Sequence, residues 1–414
     1  DVRWAEMEII MTRDNNIPEI DFAITWVDGN DPDWQKQKME YSMQPDLSQK
    51  QDDRKERYRD WDLLRYWFRG VERFAPWVRR IHFVTWGHLP SWLNKEHPKL
   101  NIVNHKDFIP EKYLPTFNSH AIEWNMHRIP GLAENFVYFN DDMFLIKKVR
   151  PEQYFKNDLP VDMLALQPDV ANTKDQVMPY IYLNNAMLLA KYFDKRENMK
   201  KQPGAYFHPG YPFMYFIYNM LELAFPLFTG FYTVHGPSPF KKSTFVKMWE
   251  LEPELLNEVC SHKFRQKEDV SQYVLREYQK LTGGFVPGNV RRLCRYYDVS
   301  NDNSRIVADI GHQKSGSVCL NDSNQEIDFE WAKEELKKLG FTYLDSGSNF
   351  IFAKHPKYDA KELFEALKEH DIYVRFWGSE RIEQYMRITI GTREEMEQLF
   401  AFLKEYMKNN HSFT

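Results

Sequence analysis

The sequence predicts an α/β protein built on a largely parallel sheet, followed by a smaller α+β unit. Three observations carry this. Short, nearly continuous apolar runs alternate with helical stretches from Ile20 to Leu145, the pattern of βα repeats. At 414 residues the chain exceeds one ordinary core, so two domains are expected. Near Asp328 the character changes, and a compact set of helices and strands begins.

Each element follows from its own stretch. Phe22-Ala23-Ile24-Thr25-Trp26-Val27 is apolar on both alternating faces, as in a strand covered on both sides of a parallel sheet. Asp28-Gly29-Asn30-Asp31-Pro32 closes it as a turn. "QPDLSQKQDDRKER" is a charged connection. Leu63, Leu64, Trp67, Phe68 and Val71 recur at helical spacing, and Pro76 ends that helix. "RRIHFVTW" and "KLNIVNH" are the second and third strands, "HAIEWNMHRIPG" a helix as far as Pro130, and "NFVYFNDDMFL" a fourth strand. Ligands of such sheets sit beyond the carboxyl ends of the strands. Asp28 and the pair Asp141-Asp142 both occupy such ends.

The middle, from Pro151 to Glu326, is less regular. "STFVKMWELEPELLNEVC" reads as one helix, and "KFRQKEDVSQYVLREYQKLTGG" as another with a glycine stop. "FMYFIYNMLELAFPLFTGFY" is as long as a membrane span, but Asn219, Glu222, Pro226 and Gly230 interrupt it. A buried or interfacial aromatic helix ending at Pro226 is expected, with peripheral association at the inner face of a membrane left open. The tail reads helix "FEWAKEELKKLG", strand "NFIFAKH", helix "AKELFEALKEH", strands "IYVRFWG" and "YMRITIGT", and helix "EEMEQLFAFLKEYMK".

Composition narrows the function classes. Hydrophobic residues at 43% and charged residues at 28% are those of a globular protein. A net charge of −5 gives no pull toward nucleic acid. The 12 Trp and 23 Tyr offer flat rings that suit sugars and bases as well as an aromatic core. Cys260, Cys294 and Cys319 have no metal-type spacing and read as reduced thiols of a cytoplasmic protein. The opening "DVRWAEMEIIMTRDNN" has no leader pattern, and Met11 is a candidate natural start. GxSxG, HExxH, CxxC and P-loop motifs are absent.

Paired aspartates at a strand end can hold a hard divalent cation, which bridges to substrate phosphates. Glu123 and His127 stand four apart on the preceding helix, a spacing that a surface ion pair explains equally well. Arg265, Glu268 and Asp269 gather at a helix start, where acids serve as caps. His235 lies in the Gly- and Pro-rich turn "VHGPSPF" and could be a base, a ligand or a surface residue.

Taken together, the blocks "IDFAITWVDGNDP", "RDWDLLRYWFRGVERFAPWVRRIHFVTWGHLPSWLN", "LPTFNSHAIEWNMHRIPGLAENFVYFNDDMFL", "FTGFYTVHGPSPFKKSTF", "CSHKFRQKEDVSQYV" and "SVCLNDSNQEIDF" resemble the Stealth family in order and spacing. These are sugar-1-phosphate transferases of bacterial capsule and other surface polysaccharides, related to the lysosomal-enzyme N-acetylglucosamine-1-phosphotransferase. The resemblance runs over residues 20–329. It implies a GT-A-like nucleotide-sugar transferase fold with helical insertions. It also implies transfer of a sugar together with one phosphate from a UDP-sugar to a saccharide hydroxyl, with release of UMP. N-acetylhexosamine donors come first among the sugars it suggests. By the same resemblance Glu123, Asp142, His235 and Arg265 are the active-site residues, and Asp142 with Asp141 holds Mg²⁺ or Mn²⁺. Asp28 and Gly29 would line the nucleotide pocket. Arg59 and Arg65 are candidates for nucleotide or phosphate contacts, with a helix-surface role for Arg65 equally open. Phosphoryl transfer needs in-line positioning and cations on the charged oxygens, which suits Arg265 and a metal. Glu123 or His235 would take the acceptor proton. A conventional UDP-releasing glycosyltransferase and a non-catalytic UDP-sugar-binding protein remain the alternatives.

Residues 330–414 resemble a different family, the small domain of histidinol-phosphate aminotransferase, through "LKKLGFTYLDSGSNFIFAKHP", "AKELFEALKEHDIYVRFWG" and "YMRITIGTREEMEQLFAFLKE". That resemblance makes Asn349, Arg375 and Arg387 ligand candidates. A pyridoxal-phosphate enzyme also needs a large cofactor domain with a Schiff-base lysine. The Stealth-like region stands in its place, so no pyridoxal phosphate is expected.

Overall fold

The computed structural model describes residues 19–42, 58, 63–170, 177–299, 303–321, 329–344, 350–391 and 393–409. It divides into two compact units, Asp1–Tyr297 with Ile306–Asn321, and Asp298–Arg305 with Asp322–Thr414.

The strands of the first unit are β1 Ile20–Thr25, β2 Ile81–Thr85, β3 Leu100–Asn104, β4 Asn135–Phe139, β5 Met143–Leu145, β6 Phe155–Lys156, β7 Leu159–Asp162, β8 Ser238–Lys241, β9 Val286–Pro287, β10 Cys294–Asp298 and β11 Ser317–Asn321. The main sheet has the order β3-β2-β1-β4-β8. Its first four strands are parallel, and β8 is antiparallel to β4. Alternation along β4 divides the core between the two faces. Phe136 and Tyr138 join Ala23, Val84, Trp124 and Phe240 on one side, while Val137 and Phe139 join Phe22, Ile24, Trp67 and Phe83 on the other. β1 is buried from Ile20 to Ile24, as its unbroken apolar run requires.

From β1 the chain steps outward to β2 and β3, then returns to place β4 on β1's other side. The order therefore reverses between β1 and β4, whose register ends at Ile24 opposite Phe139. Such a reversal opens a crevice beyond the strand ends. Asp28 and Asp142 follow those two ends.

Several expected elements are shorter or divided. "NFVYFNDDMFL" is two strands, because β5 leaves the main sheet to pair antiparallel with β11. The helix before it runs only from Ser119 to Trp124, followed by a 3₁₀ turn at Met126–Arg128. Glu123 and His127 therefore do not share a helix face. His127 instead packs on the rings of Phe245 and Trp249, and burial pushes its pKa down to about 4. "STFVKMWELEPELLNEVC" forms two helices, Lys242–Leu251 and Pro253–Ser261. Pro253 begins the second, where a missing N–H costs nothing. Of "KFRQKEDVSQYVLREYQKLTGG", only Tyr273–Leu281 is helical.

The second unit is a four-stranded antiparallel sheet of β12 Thr342–Leu344, β13 Phe350–Lys354, β14 Arg375–Phe376 and β15 Met386–Thr389. Ile351, Ala353, Met386 and Ile388 pack with Leu336, Leu363, Leu367 and Leu403 of its helices. The alternating positions lie on the other face. There Arg375 stands opposite Arg387, and the Arg387 guanidinium lies 4.6 Å over the Phe350 ring. Asn349 falls outside the described residues.

Candidate functional site

β1 and β4 are linked at their carboxyl ends by Thr25 Oγ1 and Tyr138 OH, 3.0 Å apart. The same hydroxyl donates to Glu123 Oε1 at 3.2 Å. Glu123 is 5% exposed. Burial raises its pKa above the ordinary value, and His120, Arg265, the Tyr138 hydrogen bond and His235 oppose that rise. Glu123 thus senses both Arg265 and His235.

The Asn140–Asp142 turn puts Asp142 at the mouth of the crevice. Its Oδ2 lies 3.3 Å from His235 Nε2 and accepts from Cys319 Sγ at 3.2 Å. The ligand atoms of Asp142, His235 and Cys319 all lie within 4.8 Å of one another. Asp142 Oδ1 is buried without a hydrogen-bond partner among the described residues. Asp141 is exposed beside it. Cys319 arrives on β11, where Leu320 N donates to Asp142 O at 2.8 Å. A carboxylate, an imidazole and a thiol in one cluster fit a divalent cation of intermediate softness, and an unsatisfied carboxylate oxygen is consistent with one. This set suits Mn²⁺ better than Mg²⁺, which favours oxygen throughout.

The loop carrying His235 is held by one helix. Tyr273 OH is 2.5 Å from His235 Nδ1. Arg276 Nη1 donates to Val234 O at 2.7 Å, and Thr233 Oγ1 donates to Glu277 Oε1 at 2.8 Å. Tyr273, Arg276 and Glu277 are spaced i, i+3, i+4 and so line one face. Arg276 is itself fixed by a two-pronged pair with buried Asp162, Nε to Oδ2 at 2.9 Å and Nη2 to Oδ1 at 2.8 Å. Tyr182, 40% exposed, stacks on Tyr273 with ring centroids 6.2 Å apart.

Arg265 is oriented by Ser119, whose Oγ accepts from Nη2 at 2.6 Å and from Nε at 3.2 Å. Behind it, Asp269 is a buried hub rather than a helix cap. Its carboxylate meets His120 Nδ1 at 3.2 Å, His262 Nδ1 at 2.6 Å and Asn118 Nδ2 at 3.0 Å, and accepts from Gln266 N at 3.1 Å. Burial opposes ionisation here, but His120 and His262 outweigh it and hold the pKa at about 2. A depressed carboxyl pKa stabilises the fold fully above the ordinary 3.8, and that stabilisation is lost as pH falls through about 2. Asp269→Asn is expected to lower unfolding stability by about 2–4 kcal/mol at neutral pH, because it strands buried donors. Urea unfolding measures this, and a loss below about 1 kcal/mol would remove the hub's structural role.

Asp28 and Gly29 lie at the β1 end as the sequence implies. Asp28 N donates to His88 Nε2 at 2.7 Å, and Asp28 Oδ1 accepts from Asn30 N at 2.9 Å. A Cβ on Gly29 would lie 1.8 Å from Tyr58 O, so only glycine fits. Arg65, for which the sequence leaves nucleotide contact and a helix-surface role equally open, lies elsewhere than the Asp142 cluster. It lines a separate cavity of about 320 Å³ with Phe68, Arg69, Trp92 and Lys99, and none of the residues clustered about Asp142 takes part. Arg59 falls outside the described residues.

Comparison with known proteins follows the same division of the chain. Models of Stealth protein conserved regions 1 and 2 match residues 18–46 and 57–163, and aminotransferase class I and II matches residues 325–403. The capsular polysaccharide phosphotransferase WcwK of Streptococcus pneumoniae is 38% identical over 76% of this chain and 93% of its own length. The exopolysaccharide phosphotransferase cps2G of Lactiplantibacillus plantarum is 36% identical over 80% of this chain and 96% of its own. The receptor polysaccharide phosphotransferase WefC of Streptococcus oralis is 34% identical over 80% and 99%. Among solved structures, the galactosyltransferase LgtC aligns over 72% of this chain and 86% of its own at 12% identity, with a TM-score of 0.30, and carries no weight at that score.

Proposed function

The chain belongs to the Stealth family of polysaccharide phosphotransferases, and from that premise we propose that it moves an N-acetylhexosamine-1-phosphate from a UDP-sugar to a saccharide hydroxyl and releases UMP. One observation carries this reading most. Glu123, Asp142, His235 and Arg265 come from four separate stretches, yet Asp142 Oδ2 lies 3.3 Å from His235 Nε2, and Arg265 bonds Ser119 on the same Ser119–Trp124 helix whose Glu123 is bonded by Tyr138 at the end of β4.

In this reading the nucleotide enters a GT-A-like crevice at Asp28 and Gly29. The acceptor oxygen attacks the sugar-bearing phosphorus, a new P–O bond forms, and the bridging bond to UMP breaks. Arg265, held as a flat fork by Ser119, neutralises phosphate oxygens. Asp142, His235 and Cys319, with Asp141 at the rim, would hold a divalent cation that offsets charge on the departing phosphate. Tyr273 holds the His235 ring through Nδ1, and Arg276 holds the loop that carries it through the Val234 carbonyl. Glu123 takes the acceptor proton, because burial brings its pKa toward the operating range.

The raised pKa gives a pH test with a definite sign. A base must be deprotonated, so kcat/KM should fall on the acid side at a pH above the ordinary glutamate value. Glu123→Gln should lose about 10²–10⁴-fold in rate and flatten that limb. If the limb persists in Glu123→Gln, Glu123 is not the base.

The function itself is tested by nucleotide release from a panel of UDP-sugars with Mn²⁺ or Mg²⁺ and oligosaccharide acceptors. UMP release that needs acceptor and Asp142 supports the proposal. UDP release indicates a conventional glycosyltransferase. UDP-sugar binding without turnover across the panel indicates a binding protein.

A further inference from the structure

The stretch expected as a buried or interfacial helix ending at Pro226 is helical from Phe213 to Glu222, and its apolar side chains face outward. Phe213 is 75% exposed, Leu227 70% and Leu221 62%. Met214, Met220, Leu223 and Phe225 lie near one-half. The inward positions are polar or phenolic. Asn219 is fully buried, with its amide donating to Leu164 O and Tyr206 O and its oxygen accepting from Leu166 N. Glu222 is buried on Lys195 Nζ at 2.7 Å. The usual amphipathic order is thus inverted, and a contiguous exposed apolar surface marks a docking site.

Charge identifies the occupant. From Gln202 to Gly230 the sequence contains a single Asp, Glu, Lys or Arg, the buried Glu222. A face without exposed charge offers little to a charged protein rim. Cations stand at its edge. Lys195 donates to Glu222 O, Phe225 O and Leu227 O and so ties the helix Lys195–Lys201 to the apolar turn. That helix exposes Arg196, Lys200 and Lys201 against Glu197. Exposed Phe and Leu bordered by basic side chains are what the headgroup–acyl boundary of an anionic bilayer accepts. Among the described residues no helix is long and apolar enough to cross a membrane, so the mode is insertion from one side.

We propose that the Phe213–Leu227 surface docks this protein on a lipid bilayer by shallow insertion of Phe213, Leu221 and Leu227, with Arg196, Lys200 and Lys201 facing anionic headgroups. The test is flotation of the full chain with phosphatidylglycerol/phosphatidylethanolamine vesicles. Beside it run phosphatidylcholine vesicles and the variant Phe213→Ser/Leu221→Ser/Leu227→Ser. The wild type should float with vesicles, more so when they are anionic. The variant should lose at least about tenfold in bound fraction, while its melting temperature and its turnover on a soluble acceptor stay unchanged. Three results would overturn the proposal. The wild type could fail to float with any vesicle. The variant could bind as well as the wild type. Or sedimentation could show a wild-type dimer that the variant abolishes without vesicle binding by either, which would assign the surface to a second copy.

Discussion

Asp142→Ala is expected to leave a folded protein whose nucleotide release falls by about 10²–10³-fold or more. The reason is geometric. Asp142 Oδ2 is the atom that both His235 Nε2 and Cys319 Sγ approach, and its other oxygen is buried without a partner among the described residues. Removing the carboxylate takes the anionic member from the only mixed-ligand cluster found among the described residues. The fold should tolerate the change. The Asp142 side chain is 23% exposed, and substitutions at half-open polar sites cost about 1 kcal/mol or less. Asp141→Ala should cost less activity, because Asp141 is exposed at the rim. Steady-state rates and melting temperatures of the two variants check this order. Equal activity of Asp142→Ala and wild type would remove the site from the crevice.

Arg276→Met is expected to be the most damaging single change outside the cluster, lowering stability by about 3–5 kcal/mol. Arg276 is 2% exposed and Asp162 is also 2% exposed. Their mutual charge keeps Asp162 ionised despite burial, so losing the guanidinium strands a buried carboxylate. The same variant frees the Val234 carbonyl and with it the loop that carries His235. Denaturant titration should show the stability loss, and Asp162→Asn/Arg276→Met should recover part of it, because the stranded charge is gone. Recovered stability without recovered activity would separate the two duties of Arg276. A loss under about 1 kcal/mol would contradict the assignment.

Much of this was legible in the sequence, for identifiable reasons. β1, β2 and β4 could be read because strands covered on both faces must be nearly continuous apolar runs. Asp28 and Asp142 could be placed because strand ends in an α/β sheet point at the crevice. Cys319 could not. It lies 177 residues from Asp142, and spacing along the chain says nothing about a contact made by β11 pairing with β5. The role of Arg276 was hidden for a related reason, since its partners sit on β7 and in the His235 loop. Its i, i+3, i+4 company with Tyr273 and Glu277 was the available signal. The Glu123–His127 spacing misled because Asn125 ends the helix between them. Its amide reaches back to Ala121 O at 2.8 Å. The outward-facing Phe213–Glu222 helix ran against its own composition. Apolar content predicts burial only where another element is present to cover it.

The most direct test follows one phosphorus atom. A UDP-N-acetylhexosamine labelled with ³²P at the sugar-linked phosphate would be incubated with enzyme, Mn²⁺ and an oligosaccharide acceptor, and the products separated. Sugar-1-phosphate transfer predicts that the label moves into the acceptor as a phosphodiester while unlabelled UMP is released, with neither product formed by Asp142→Ala. Label retained in released UDP, with unlabelled sugar on the acceptor, would contradict the central claim and make the protein a conventional glycosyltransferase.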